Sequence, residues 1–244
     1  MSDWKAKRFW KKAQVTDEVG GYGVALDARP VNTPGKLRLI VPTRAMAEAI
    51  AAEWDAQEEH INPNTMPVTR SANSALEKVG VQHGAVADMI ADYGDSDLLC
   101  YRATSPQELV ARQAAGWDPL LAWADSELDV RLAVHPGVMH QSQNPEMLQK
   151  LRTEVHAQDN FALTALHDLV SLSGSLIIGL AAQRESQPIE TLWKLSRIDE
   201  DWQTELWGED DDANAQTARK AEAFLHAKRF FDLSRVADHG HLVS

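Results

Sequence analysis

Cysteine is almost absent: Cys100 is the only one among 244 residues. No disulfide can close within the chain, and neither a CxxC pair nor a thiol-based zinc cluster can be built, which suits a reducing compartment. Cys100 lies in the apolar run Asp97-Leu98-Leu99-Cys100-Tyr101 and reads as a buried structural thiol, not a nucleophile. Long hydrophobic runs are lacking too. The longest candidate, residues 163–182, is interrupted by His167, Asp168 and several serines. It falls short of the roughly 18 apolar residues of a spanning helix and reads as a central buried helix. Positive charge is scarce: 24 Lys and Arg against 36 Asp and Glu leave a net charge of −12. Nucleic acid and anionic membranes are therefore poor partners, while a binding module for basic clients fits. HExxH, the P-loop, GxSxG and the EF-hand loop are all missing. Gly21 and Gly23 make no GxGxxG between strand and helix, so no dinucleotide site is expected.

The basic and aromatic residues 4–12 lack the apolar stretch of a secretory signal and the serine richness of a transit peptide. They are expected to be mature sequence, with Trp4, Phe9 and Trp10 as anchors. Residues 13–42 then read as a small antiparallel meander: a strand at 13–18, a Gly20-Gly21 turn, a strand at 22–26, a turn at 27–30 and a strand at 37–41. Thr43 caps a helix with Met46, Ala47, Ile50, Ala51 and Trp54 on its apolar face. The Pro-rich stretch 61–67 ends that unit.

From Ser71 onward helices follow one another. Val86, Met89, Ile90 and Tyr93 space a helix that stops at Gly94. Ser105-Pro106-Gln107-Glu108 has the form of a capping box, and Gly116-Trp117-Asp118-Pro119 is expected to interrupt the helix it starts. Leu120, Leu121 and Trp123 should face inward. Helices are predicted at 145–156 and, as one piece with a small-residue face from Ser171 to Gly179, at 159–183. Residues 130–138 are extended or loop. A last helix covers 213–234, with Glu209–Asp212 at its positive end. The fold class predicted is α+β: a small N-terminal domain containing a β-meander, residues 1–78, and a larger all-α C-terminal domain, residues 79–244.

Residues 192–208 read as one helix ending at Gly208. At about 100° per residue, Leu192, Leu195, Ile198, Trp202 and Leu206 share a face, with Trp202 expected in the core. Asp199 falls inside that face, while Lys194, Arg197, Glu200 and Asp201 point away. A carboxylate in an apolar stripe is costly unless paired. It is therefore either in an ion pair with an arginine elsewhere or held ready for a partner. His167-Asp168 are helix neighbours that should diverge, and His239-Gly240-His241 and the 209–212 carboxylates lack the pattern of a metal site. Neither catalytic residues nor metal ligands are expected.

Several ordered stretches resemble the assembly chaperone family that binds the alpha subunit of F1-ATPase. They are Arg8-Phe9-Trp10-Lys11 with residues 21–34, residues 39–54, Met66-Pro67-Val68-Thr69-Arg70 with Asn73, Asp97 to Ala103 with Gln113 and Trp117 to Leu121, and Leu195 to Gln203 with Trp207-Gly208. Together they span nearly the whole chain. The resemblance implies a small β-containing N-terminal domain and a larger helical one. It implies a chaperone that holds unassembled alpha subunit against aggregation until the beta subunit replaces it, without a catalytic centre or cofactor. In that family an acidic residue in a Ser-Arg-apolar-acidic motif is tied to function; here the motif is Ser196-Arg197-Ile198-Asp199, with Asp where Glu is common. Arg197, Asp199, Glu200, Asp201 and Trp207 are the expected client-binding residues. No nucleic acid and no membrane insertion are expected, and the chain should be a monomer when free. The bacterial cytoplasm, or the mitochondrial matrix for a mature eukaryotic form, is the expected location. The alternative is a hydrolase working through the carboxylates at 199 and 200.

Overall fold

The computed structural model describes residues 7–208 and 210–235. His239, His241, Trp4 and Glu209 lie outside them. The fold is α+β, and the chain divides into two compact units.

The first unit is built from residues up to Gln82 together with 160–164 and the segment from Arg229. Strands β1 (Ala13–Glu18) and β2 (Gly21–Leu26) pair antiparallel in the register Ala13↔Leu26 to Glu18↔Gly21. The short strands β3 (Arg29–Pro30) and β4 (Ile40–Val41) both pair with β2. A Cβ on Gly21 would sit 2.3 Å from the Val41 carbonyl oxygen, so the close approach of β2 and β4 requires glycine there. The strand expected at 37–41 is shorter than its alternation suggests. Its first half pairs only through an Asn32–Arg38 bridge, and Thr33 takes the Leu37 N–H.

Helix α1 (Arg44–Asp55) starts at Thr43, whose hydroxyl accepts from the Met46 N–H at 3.1 Å. Met46, Ala47, Ile50 and Ala51 are buried as their spacing requires. The Glu53 carboxylate accepts from the backbone N–H groups of Val68 and Thr69, at 2.7 and 2.8 Å. It thereby caps α2 (Pro67–Ser74), whose own Met66 supplies no side-chain cap. Trp10 is buried edge-on against Trp54 at 5.3 Å.

The second unit covers 83–159 and 165–228. It holds α3 (His83–Ala91), β5 (Tyr101–Arg102), α4 (Gln107–Leu128), β6 (His135–Pro136), α5 (Pro145–His156), most of α6 (Asn160–Ser173), α7 (Leu176–Gln183), α8 (Ile189–Leu195), α9 (Ile198–Trp207) and most of α10 (Asp211–Leu233). Strands β5 and β6 pair parallel, so part of 130–138 is extended. Helix α3 ends at Ala91, and a 3₁₀ turn carries Tyr93 and Gly94. Met89 faces solvent, not the core.

Four helix expectations are corrected. Ser105 does not cap α4, which begins after Pro106 without a side-chain cap. Residues 116–119 do not interrupt α4: it runs through Pro119, held on either side by Trp117 and Leu120, both fully buried. Trp123 is only half-buried. The 159–183 helix is two helices. Gly174, at φ +71°, ends α6, and the Ser175 hydroxyl caps α7 by accepting from the Ile178 N–H at 3.0 Å. Helix α7 is apolar all round and buried from Leu176 to Ala182.

No helix among the described residues is long and apolar enough to cross a membrane.

Candidate functional site: the acidic helix α9

The stretch 192–208 is not one helix. Helix α8 stops at Leu195 and α9 begins at Ile198. Trp117 causes the break: its indole N–H donates to the Leu195 carbonyl at 2.8 Å. In an unbroken helix that carbonyl would receive the Asp199 N–H. The Ser196 hydroxyl donates to the Trp193 carbonyl at 2.7 Å and tightens the turn.

The predicted common face therefore divides. Leu192 and Ile198 are buried, Leu195 and Trp202 are half-buried, and Leu206 is 57% exposed. Trp193, outside the predicted face, is buried and packs against the Phe224 ring at a tilt of 42°, centroids 5.5 Å apart. Ile198 and Leu195 close over Gly116 of α4, where a Cβ would meet their methyl carbons at 2.7 and 2.9 Å.

Arg197 does not point away as expected. Its guanidinium lies 5.8 Å from the Trp193 ring centroid, its Nη1 donates to Glu200 at 2.8 Å, and its Nε is buried without a partner. Asp199 is paired inside the protein with an amide rather than an arginine. Gln113 Nε2 of α4 donates to its Oδ1 at 2.6 Å. Asp201 is on the exposed side, and partial burial pushes its carboxyl up. Arg112 grips Glu205 with two hydrogen bonds, 2.7 and 2.9 Å, and lies 5.0 Å from the Trp202 ring. That grip holds the Glu205 carboxyl below its ordinary range.

Glu200 and Glu205 are thus neutralised by arginines, whereas Asp199 and Asp201 have no ion-pair partner among the described residues. The helix N-terminus favours their charge. Trp207 is 83% exposed and donates only to Gln203 of its own helix. The structure brings Arg197, Asp199, Glu200 and Asp201 into one turn. Trp207 stands on the same helix about 12 Å further along its axis.

Arg112, Gln113 and Trp117, all from α4, complete this arrangement; Gln113 and Trp117 carry part of the family resemblance, but none of the three is in the expected client-binding set. Gln113 had a signal: it interrupts the apolar row Leu109, Gln113, Trp117, Leu120, Ala124.

His167 Nδ1 and Asp168 do meet, at 2.9 Å, contrary to the expected divergence; the bond raises the His167 pKa. Both side chains are partly exposed. An open groove over α3 is lined by Asp88, Met89, Asp92 and Tyr93 and contains no α9 residue. No metal-holding cluster occurs among the described residues. Asp199 and Glu200 bond to Gln113 and Arg197 respectively, which lends nothing to the hydrolase alternative.

The family model of the ATP12 chaperone protein matches residues 7–125. The crystal structure of Atp12 from Paracoccus denitrificans is 53% identical, covers 96% of this chain and 100% of its own, and superposes with a TM-score of 0.93. A protein from Agrobacterium tumefaciens described as a candidate chaperone is 40% identical, covering 93% of this chain and 85% of its own, with a TM-score of 0.88. The mitochondrial protein atp12 of Schizosaccharomyces pombe is 24% identical over 220 residues, 85% of this chain and 76% of its own.

Proposed function

Because the chain belongs to the ATP12 chaperone family, we propose that it holds the unassembled alpha subunit of F1-ATPase until the beta subunit displaces it. An unassembled subunit exposes apolar and polar patches that its neighbours later cover, and such patches aggregate. A holder must cover them reversibly, with apolar anchors for contact and charge for specificity and on-rate. The supporting observation is α9, which offers Trp207 and Leu206 to solvent beside two carboxylates without a cationic partner. The same reading makes Arg197, Asp199, Glu200, Asp201 and Trp207 the client-binding set. It places the main contact in the helical domain, 79–244, rather than in 1–78. It describes a free monomer without turnover or cofactor, working in the bacterial cytoplasm or the mitochondrial matrix.

The test is a pull-down of separately expressed alpha subunit and of assembled F1. The free subunit should be retained and the assembled enzyme should not. Trp207→Ala should weaken retention about tenfold or more, as loss of an exposed aromatic anchor does, while melting stays within about 1 °C. Equal capture of assembled F1 would point to a resident subunit instead.

A further inference from the structure

Gln113 is only 2% exposed, a polar side chain in the apolar row of α4. The Ala103 backbone N–H can only donate, and it does so to Gln113 Oε1 at 2.8 Å. The amide orientation is thereby set, and Nε2 must face Asp199, 2.6 Å from Oδ1. A buried amide N–H needs an acceptor, and an ionised carboxylate is the strongest on offer. One oxygen of Asp199 is so occupied. Its Oδ2 has no hydrogen bond among the described residues, and the nearby arginines 112 and 197 are bonded to Glu205 and Glu200.

We propose that Gln113 is a positioning residue: it pins Asp199 through Oδ1 so that Oδ2 is presented to a cationic or N–H donor group of the client. The proposal rests on the client site described above. Gln113 itself touches no client. Its amide converts a flexible carboxylate into a fixed acceptor, and the Ala103 backbone, just after β5, supplies the reference point.

Full-length variants and isolated alpha subunit test it. Gln113→Glu keeps the shape and the acceptor for Ala103, but at pH 8 it sets a carboxylate against Asp199. Client affinity should fall about tenfold or more there and recover as the pH drops and the new carboxyl becomes a donor. A Gln113→Met, Asp199→Ala double variant should bind no worse than Asp199→Ala alone, because Gln113 acts through Asp199. A merely structural tie predicts multiplied losses in the double variant and binding defects of the Gln113 variants that track their melting temperatures; either result overturns the proposal. A client-free arm separates this from the function itself. The Gln113 side-chain amide protons should exchange slowly in the native protein and quickly in Asp199→Ala. If wild type fails to hold alpha subunit, the functional reading and the presentation of Oδ2 fall together. The exchange arm still decides whether Gln113 positions Asp199.

Discussion

Asp97 shows how much one side chain can organise. It is fully buried, yet its carboxylate accepts from the Leu99 N–H and the Ile177 N–H, each at 3.0 Å. It therefore ties the 3₁₀ turn Leu98–Cys100, just before β5, to the start of α7. Burial dominates over these bonds and pushes its carboxyl up to about 6 from an ordinary 3.8. Between those values the native state binds more protons than the unfolded chain. Stability from this group is therefore fully present below the unfolded value and is lost as pH rises through the folded one. The change is on the order of 3 kcal/mol. Asp97→Asn cannot titrate, so the difference in urea unfolding free energy, wild type minus variant, should shrink by about 2 kcal/mol from pH 4 to pH 7, the unfolded carboxyl being already partly ionised at pH 4. A difference that stays constant across that range would refute the argument. Cys100, the last residue of this turn, is fully buried, and its thiol is pushed up to about 12 by burial and by Asp97. It should resist thiol reagents in the native protein and react once urea unfolds it.

Helices α4 and α9 depend on each other, and Gly116 shows the tolerance. Gly116→Ala adds a methyl where the side-chain ends of Ile198 and Leu195 already stand. Those ends are flexible, so the cost should be about 1–3 kcal/mol, partly offset by the better helix propensity of alanine. Melting should fall by roughly 2–8 °C in calorimetry. Unchanged melting would mean that α9 is not seated on Gly116. These two helices also mark where sequence reading stops. Thr43, Pro145–His156 and the buried face of α1 are legible because cap chemistry and period are local. The split of 192–208 is not legible: the Trp117 indole takes the Leu195 carbonyl from 78 positions away. The same holds for Asp199, whose partner Gln113 lies 86 positions off. Periodicity placed a carboxylate among apolar residues but could not name the group that bonds it. Arg197 misled for a related reason, since its aliphatic stem and ring contact bury a residue whose charge suggested solvent.

At the scale of the whole molecule, the net charge of −12 should act on the client from a distance. Glu200 and Glu205 are offset by arginines, so the field near α9 comes from Asp199 and Asp201, joined by the exposed Asp210, Asp211 and Asp212 at the start of α10. Asp199 is half-buried and the other four face water, and salt screens such charges: the Debye length falls from about 10 Å at 0.1 M to about 3 Å at 1 M. Trp207 and Leu206 are apolar anchors whose contact salt does not screen. The two contributions should separate in kinetics. Long-range charge steers encounter and governs association, whereas close contact governs dissociation. Raising sodium chloride from 0.05 to 0.5 M should slow association with alpha subunit about tenfold and change dissociation by less than about threefold. Trp207→Ala should do the reverse, speeding dissociation at every salt concentration while leaving association nearly intact. Stopped-flow mixing with labelled alpha subunit reads both rates. If association ignores salt, the acidic turn plays no part in capture. If Trp207→Ala leaves dissociation unchanged, the contact lies on another face of the chaperone.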